Sequence, residues 1–159
     1  MKFNLRSLNQ KAKNLRKKTF LEFVKKKEAH LGGSFSMIEI LISIYKHMNK
    51  RDKFILSKSH ASFPLCILLK ERGLSPKITT HLEIDEKNGI NATTGSLGHG
   101  LPISTGMAFA RKKMNIKGNV YVLISDGECQ EGTTWESLLI ASKHNLDNLI
   151  ILVDYNKIQ

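Results

Sequence analysis

The sequence predicts an α/β fold, a doubly wound parallel sheet with helices on both faces. Three observations predict it. Val120 to Ile124 and Leu149 to Val153 are short apolar, β-branched runs that stop on polar residues, as strands buried on both faces do. Thr134 to His144, between them, has helical character and completes a β-α-β unit. Asp52 to Ser57 is a further short strand, set between two apolar helical stretches. With 159 residues and 41% hydrophobic content, the chain can bury one core and reads as a single domain over 1–159.

From the start of the chain, Met1 to Lys27 is basic and nearly acid-free until Glu22, a composition shared with organellar transit peptides. Leu15, Phe20, Phe23 and Val24 suit an ordinary amphipathic helix better, over about residues 8–29, so we expect a mature cytoplasmic chain. His30-Leu-Gly-Gly-Ser-Phe-Ser36 is a Gly-rich loop. Ser36 and Glu39 fit a capping box opening the apolar helix to about Met48. After the Asp52–Ser57 strand, Phe63 to Arg72 is helical and closed by Gly73. Ser75 to Ile90 is polar and irregular and contains His81; its place is a loop over the ligand edge. Thr93 to Pro102 carries three glycines ahead of a helix through Ile103, Met107, Ala110 and Met114, which leaves free backbone donors at a positive dipole end.

The formal net charge of +11 prompts a nucleic-acid or membrane reading. Its lysines are spread along the whole chain, and no zinc-finger, helix-turn-helix or aromatic-rich RNA-binding pattern occurs. The excess reads as solvated surface plus attraction for phosphorylated substrates. Cys66 and Cys129 lack metal-ligand spacing and imply a reducing compartment without a disulfide framework. No apolar stretch approaches membrane-spanning length.

Parallel strands bring their carboxyl ends to one edge, where open α/β sheets bind ligands. Asp126 and Asn156, each following a strand, become neighbours there. One carboxylate and one amide oxygen, with room for water and phosphate oxygens, suit the hard octahedron of Mg²⁺. Gly127 lets the backbone approach an anion. Asp-Gly after a strand is by itself more often only a turn. The pair, thirty residues apart, resembles the cofactor motif of the thiamine diphosphate-dependent enzymes, with Ser125 where that family has its first Gly.

The resemblance narrows with the other blocks. His30-Leu-Gly-Gly-Ser34, Asp52-Lys-Phe-Ile-Leu-Ser-Lys-Ser-His-Ala61 and Thr94-Gly-Ser-Leu-Gly-His-Gly100 look like the amino-terminal, thiamine diphosphate-binding section of transketolase, from about Leu15 to the last residue. The resemblance implies a thiamine diphosphate-binding fold, truncated here, and a transferase of carbohydrate metabolism and the pentose phosphate pathway. It implies Mg²⁺ held by Asp126, Asn156 and the carbonyl of Ile158. Gly127 and Glu128 fall at the diphosphate, and Gly95, Ser96 and Leu97 at the cofactor rings. His60 matches a cofactor-phosphate and active-site histidine, His30 one that contacts the sugar's reacting oxygens, and His81 a third whose loop lacks the usual His-Pro. Glu131 matches a carboxylate network reaching the partner's catalytic glutamate, and Glu136 falls near the subunit interface. His47, His99 and His144 read as structural.

The implied activity is transfer of a two-carbon ketol unit, glycolaldehyde transfer, from a ketose phosphate to an aldose phosphate. Histidines titrate in the range needed to stabilise an alkoxide and move protons among hydroxyls. The chain stops three residues past Asn156, and the family's pyrimidine domain is absent from it, so the isolated chain is expected to be inactive. A split enzyme completed by a separately encoded C-terminal subunit, as a dimer or hetero-oligomer, is one explanation. A shortened fragment, a non-catalytic remnant that binds cofactor or another chain, and a basic phosphate-binding domain without thiamine chemistry are the others.

Overall fold

The computed structural model describes residues 5–27 and 30–157. Helix α1 (Leu5–Lys26) is followed by α2 (Leu31–Ser36) and α3 (Ile38–His47). Strand β1 (Lys53–Leu56) leads through a single 3₁₀ turn (Ser59–Ala61) into α4 (Phe63–Glu71). A long irregular segment with one 3₁₀ turn (Glu86–Asn88) reaches α5 (Gly100–Lys113), and β2 (Val120–Ser125), α6 (Gly132–Lys143) and β3 (Leu149–Asp154) complete the described chain.

The three strands pair in parallel in the order β1-β2-β3, with Lys53 opposite Val120 and Val120 opposite Leu149. Alternation along the strands sends side chains to two separate cores. Phe54, Leu56 and Leu123 pack with Leu15 of α1, Leu41 of α3 and Leu65 and Leu69 of α4. Ile55, Val120, Val122 and Ile124 pack on the opposite face with Leu101 and Ala108 of α5 and Leu138 of α6. Helices therefore cover both faces, as the near-continuous apolar character of β2 requires. β3 is an edge strand among the described residues, and its side chains are mostly half-buried.

Several boundaries depart from expectation. α1 begins at Leu5 and ends at Lys26, with Lys27 at φ 55; the expected continuation over residues 28–29 lies outside the described residues. The Gly-rich stretch after His30 is helical, not a loop. The Ser36–Glu39 capping box does not form. Ser36 closes α2, and the residue capping α3 is Met37, which makes no side-chain cap bond. Long-range partners take both side chains instead: Ser36 Oγ donates to Asp154 Oδ2 at 2.5 Å, and Arg16 pairs with Glu39 at 2.6 Å. α4 ends as the sequence predicts, with Gly73 N–H donating to Lys70 O at 3.0 Å and Leu74 N–H to Leu69 O at 3.1 Å.

Candidate active site

The carboxyl ends of the strands gather the polar residues. Asp126 directly follows β2, and its N–H donates to Asp154 O, the last residue of β3, at 3.3 Å. Lys157 N–H donates back to Asp126 Oδ2 at 3.1 Å, and Gly127 N–H donates to Oδ1 at 3.2 Å. The carboxylate thus lies against the segment that carries half-buried Asn156. No cationic side chain pairs with Asp126 among the described residues, so its oxygens keep lone pairs for a hard cation. No group of three His, Cys, Asp or Glu side chains forms a metal cage among the described residues. A cation here would need ligand oxygens to complete its shell. Ile158 lies outside the described residues.

On the β1 side, Ser59 to Ala61 form a 3₁₀ turn that presents His60 half-buried. The ring of His30, at the start of α2, meets the His60 ring edge-on with centroids 5.0 Å apart. His81 comes from the long irregular segment. The Leu82–Thr94 bridge holds it over the Gly-rich loop, where a Cβ built on Gly95 would stand 2.5 Å from His81 Cδ2. Three histidines distant in sequence thus share one edge. Burial first, then the charges of His30 and Lys58, hold the His60 imidazole below its ordinary range, while Glu128 works against them.

The Gly-rich loop is lashed down at several points. Thr94 Oγ1 donates to Leu56 O at 2.8 Å, and Ser59 Oγ donates to Thr94 O at 2.7 Å. Gly100 N–H donates to Ser57 Oγ at 3.1 Å, an approach that a Cβ would block by standing 2.6 Å from the Ser57 Cα. Ser96 and Leu97 remain exposed at the rim, with Leu97 41% accessible. Glu131 also lies at this rim, packed over Gly98 and exposed.

Glu128 lies behind the loop and strand ends. It is 0% exposed, and its carboxylate accepts from Ser57 Oγ, from Gly98 N–H at 3.0 Å and from Ser125 N–H at 2.8 Å. Protein donors thus take up both oxygens of this buried acid. It ties β1, the Gly-rich loop and β2 together behind the site. Sequence reading also missed Lys58 and Asp154, a buried pair at 2.5 Å. The available signal was a lysine directly after a strand and an aspartate ending another, each two residues from a site position.

The fold and this edge define a parallel α/β cofactor domain of the thiamine diphosphate type. The chain belongs to the transketolase family: residues 9–159 match the family described as "Transketolase, thiamine diphosphate binding domain". An apulose-4-phosphate transketolase subunit from Actinobacillus succinogenes is 38% identical over 96% of this chain and 63% of its own length. A 6-deoxy-6-sulfo-D-fructose transketolase subunit from a Clostridium species is 34% identical with the same coverage. Transketolase of Homo sapiens is 35% identical over 72% of this chain and 21% of its own length. The chain thus spans 63% of the two subunit relatives. The structure of transketolase from Leishmania mexicana superposes with a TM-score of 0.84 at 21% identity, covering 92% of this chain and 27% of that one, which bears out the fold.

Proposed function

We propose that this chain supplies the diphosphate- and Mg²⁺-binding half of a transketolase-like transferase, completed by a separately encoded pyrimidine-domain subunit. The observation that carries it is the family match together with the Asp126–Lys157 contact, in which a carboxylate with no cationic partner among the described residues lies against the Asn156 segment. The names of two relatives, which describe transketolase subunits, support a two-chain enzyme. Those names also refer to an apulose 4-phosphate and a sulfonated ketose, which makes modified ketoses candidate donors here.

Asp126, Asn156 and Ile158 would hold the ion, and Gly127 and the loop at Gly95, Ser96 and Leu97 would meet the cofactor's diphosphate and rings. Gly127 N–H, which bonds Asp126 in the present structure, would have to turn toward the diphosphate. Thiamine diphosphate, when bound, supplies the carbanion that breaks and forms carbon–carbon bonds beside a carbonyl. The chain's own task is to bind, orient and move protons. His60, held toward its neutral form, can accept a proton from a sugar hydroxyl near neutral pH, and His30 and His81 flank it as further hydrogen-bond partners. Glu131, exposed at the rim, would meet a carboxylate from a partner subunit. The spread positive charge favours phosphorylated sugars as donor and acceptor.

Calorimetric titration of thiamine diphosphate with Mg²⁺, into the chain alone and into its mixture with the partner subunit, tests this reading. Mg²⁺-dependent binding that appears with the partner and is lost in Asp126→Ala is the expected result. Binding that Asp126→Ala leaves unchanged, or none under either condition, overturns it.

A further inference from the structure

Lys58 and Asp154 stand outside every role assigned above. Lys58 lies two residues past the Leu56 end of β1 and two residues before His60; Asp154 ends β3, two residues before Asn156. β2 lies between those two strands. The lysine side chain must therefore cross the carboxyl end of the middle strand, where two strand spacings amount to about 9–10 Å. It does so: Lys58 Nζ donates to Asp154 Oδ2 at 2.5 Å, with the two side chains 1% and 5% exposed. Ser36 Oγ, at the end of the helix that starts beside His30, donates to the same carboxylate oxygen at 2.5 Å.

A buried pair of this kind is a poor stabiliser, because taking both charges out of water offsets their attraction. What it supplies is one geometry. Three segments meet at a single oxygen: the turn that presents His60, the helix that follows His30, and the strand end that leads to Asn156. Lys58 Nζ and His60 Nε2 also crowd the same glycine, at 3.6 and 3.4 Å from a Cβ built on Gly33, so the strut and the histidine share one packing environment.

We propose that Lys58, Asp154 and Ser36 form a positioning strut that holds the His60 turn and the Asn156 segment at a fixed separation across the end of β2 before any ligand arrives. The inference rests on the reading of Asp126 and Asn156 as the ion-binding end of the sheet. Its consequence for local order does not need a ligand. The N–H groups of Asp126, bonded to Asp154 O, and of Lys157, bonded to Asp126 Oδ2, report directly on the junction that the strut fixes.

The test uses the full chain, with hydrogen exchange of individual amides measured without ligand and cofactor titration measured with the partner subunit. In Lys58→Met/Asp154→Leu, where no charge is left unpaired, the melting temperature is expected at or above wild type. Mid-strand Val122 and Leu123 should keep their protection, while the Asp126 and Lys157 amides exchange about tenfold faster. Cofactor affinity in Mg²⁺ should fall about tenfold or more, as for the loss of groups that orient metal ligands. Ser36→Ala, which leaves the ion pair intact, should speed the same two amides by a smaller factor, and it serves as the test if the double variant does not fold. Wild-type exchange at Asp126 and Lys157 in the folded variant overturns the strut, and so does a uniform loss of protection across the sheet. Asp126→Ala separates the two ideas, since wild-type binding in that variant overturns the cofactor reading and leaves the exchange result to decide the strut.

Discussion

Individual residues at the ligand edge owe their properties to the surroundings that folding gives them. His60 is the clearest case. Its depressed proton affinity arises from burial and from the positive charges of His30 and Lys58, thirty residues back and two residues back along the chain. Because the folded state disfavours protonation, the unfolded chain binds the proton more readily below the ordinary histidine pKa of about 6.5. The group contributes no difference well above that pH and destabilises the fold progressively as pH falls through it. Urea-derived stability of wild type and His60→Gln between about pH 5 and 8 checks this. Wild type should lose stability relative to the variant on the acid side, and parallel profiles would refute the assignment. Cys66 shows a similar dependence on context, since burial first of all pushes its thiol up to about 11 and leaves it an inert core residue.

At the scale of elements, α1 is the part whose sequence least announces its importance. It is strongly basic, yet Ala12, Leu15 and Thr19 are buried against the sheet-covering helices, with Leu15 2% exposed. Arg16 to Glu39 and Lys18 to Glu71 pin it to α3 and α4 at 2.6 and 2.5 Å, but these solvent-accessible pairs, the first half-buried and the second exposed, add little. Apolar burial dominates. Leu15→Ala should therefore destabilise the chain by about 2–5 kcal/mol in denaturant unfolding. A change under about 0.5 kcal/mol, typical of surface sites, would show that α1 is not part of the cooperative core. The same competition between local and distant partners explains the failed capping box. Ser36 and Glu39 have the right spacing, and each finds a tertiary partner that removes it from helix capping.

The whole molecule leaves apolar surface without cover. Trp135, Leu139 and Ile140 on α6 are 58%, 72% and 50% exposed, and exposed Leu97 adjoins Gly98, which packs on Glu131 at the start of that helix. An apolar face of this kind marks an association surface more often than a solvated one. In the two-subunit reading, Leu139→Glu should weaken assembly with the pyrimidine-domain partner about tenfold or more while leaving the fold intact. Sedimentation of the mixed subunits checks it, and wild-type assembly would place the interface elsewhere.

Periodicity and motif spacing were enough to determine the parallel α/β class, the β2-α6-β3 unit, the stop at Gly73 and the meeting of Asp126 with the Asn156 segment, because those follow from local apolar patterns and from the rule that parallel strands end on one edge. His30, His60 and His81 were legible as candidates only through the resemblance of the blocks that carry them, since His30 stands at the start of a helix and not at a strand end. Only the tertiary structure decided that Glu128 is a buried tie and that Lys58 reaches across β2 to Asp154. It alone also decided that Ser36 bonds a strand end 118 residues away in place of its own helix. A short-range pattern records what each residue can do with its neighbours in the chain. Burial and long-range pairing depend on which segments the closed core brings together, and that is set only when both faces of the sheet are covered.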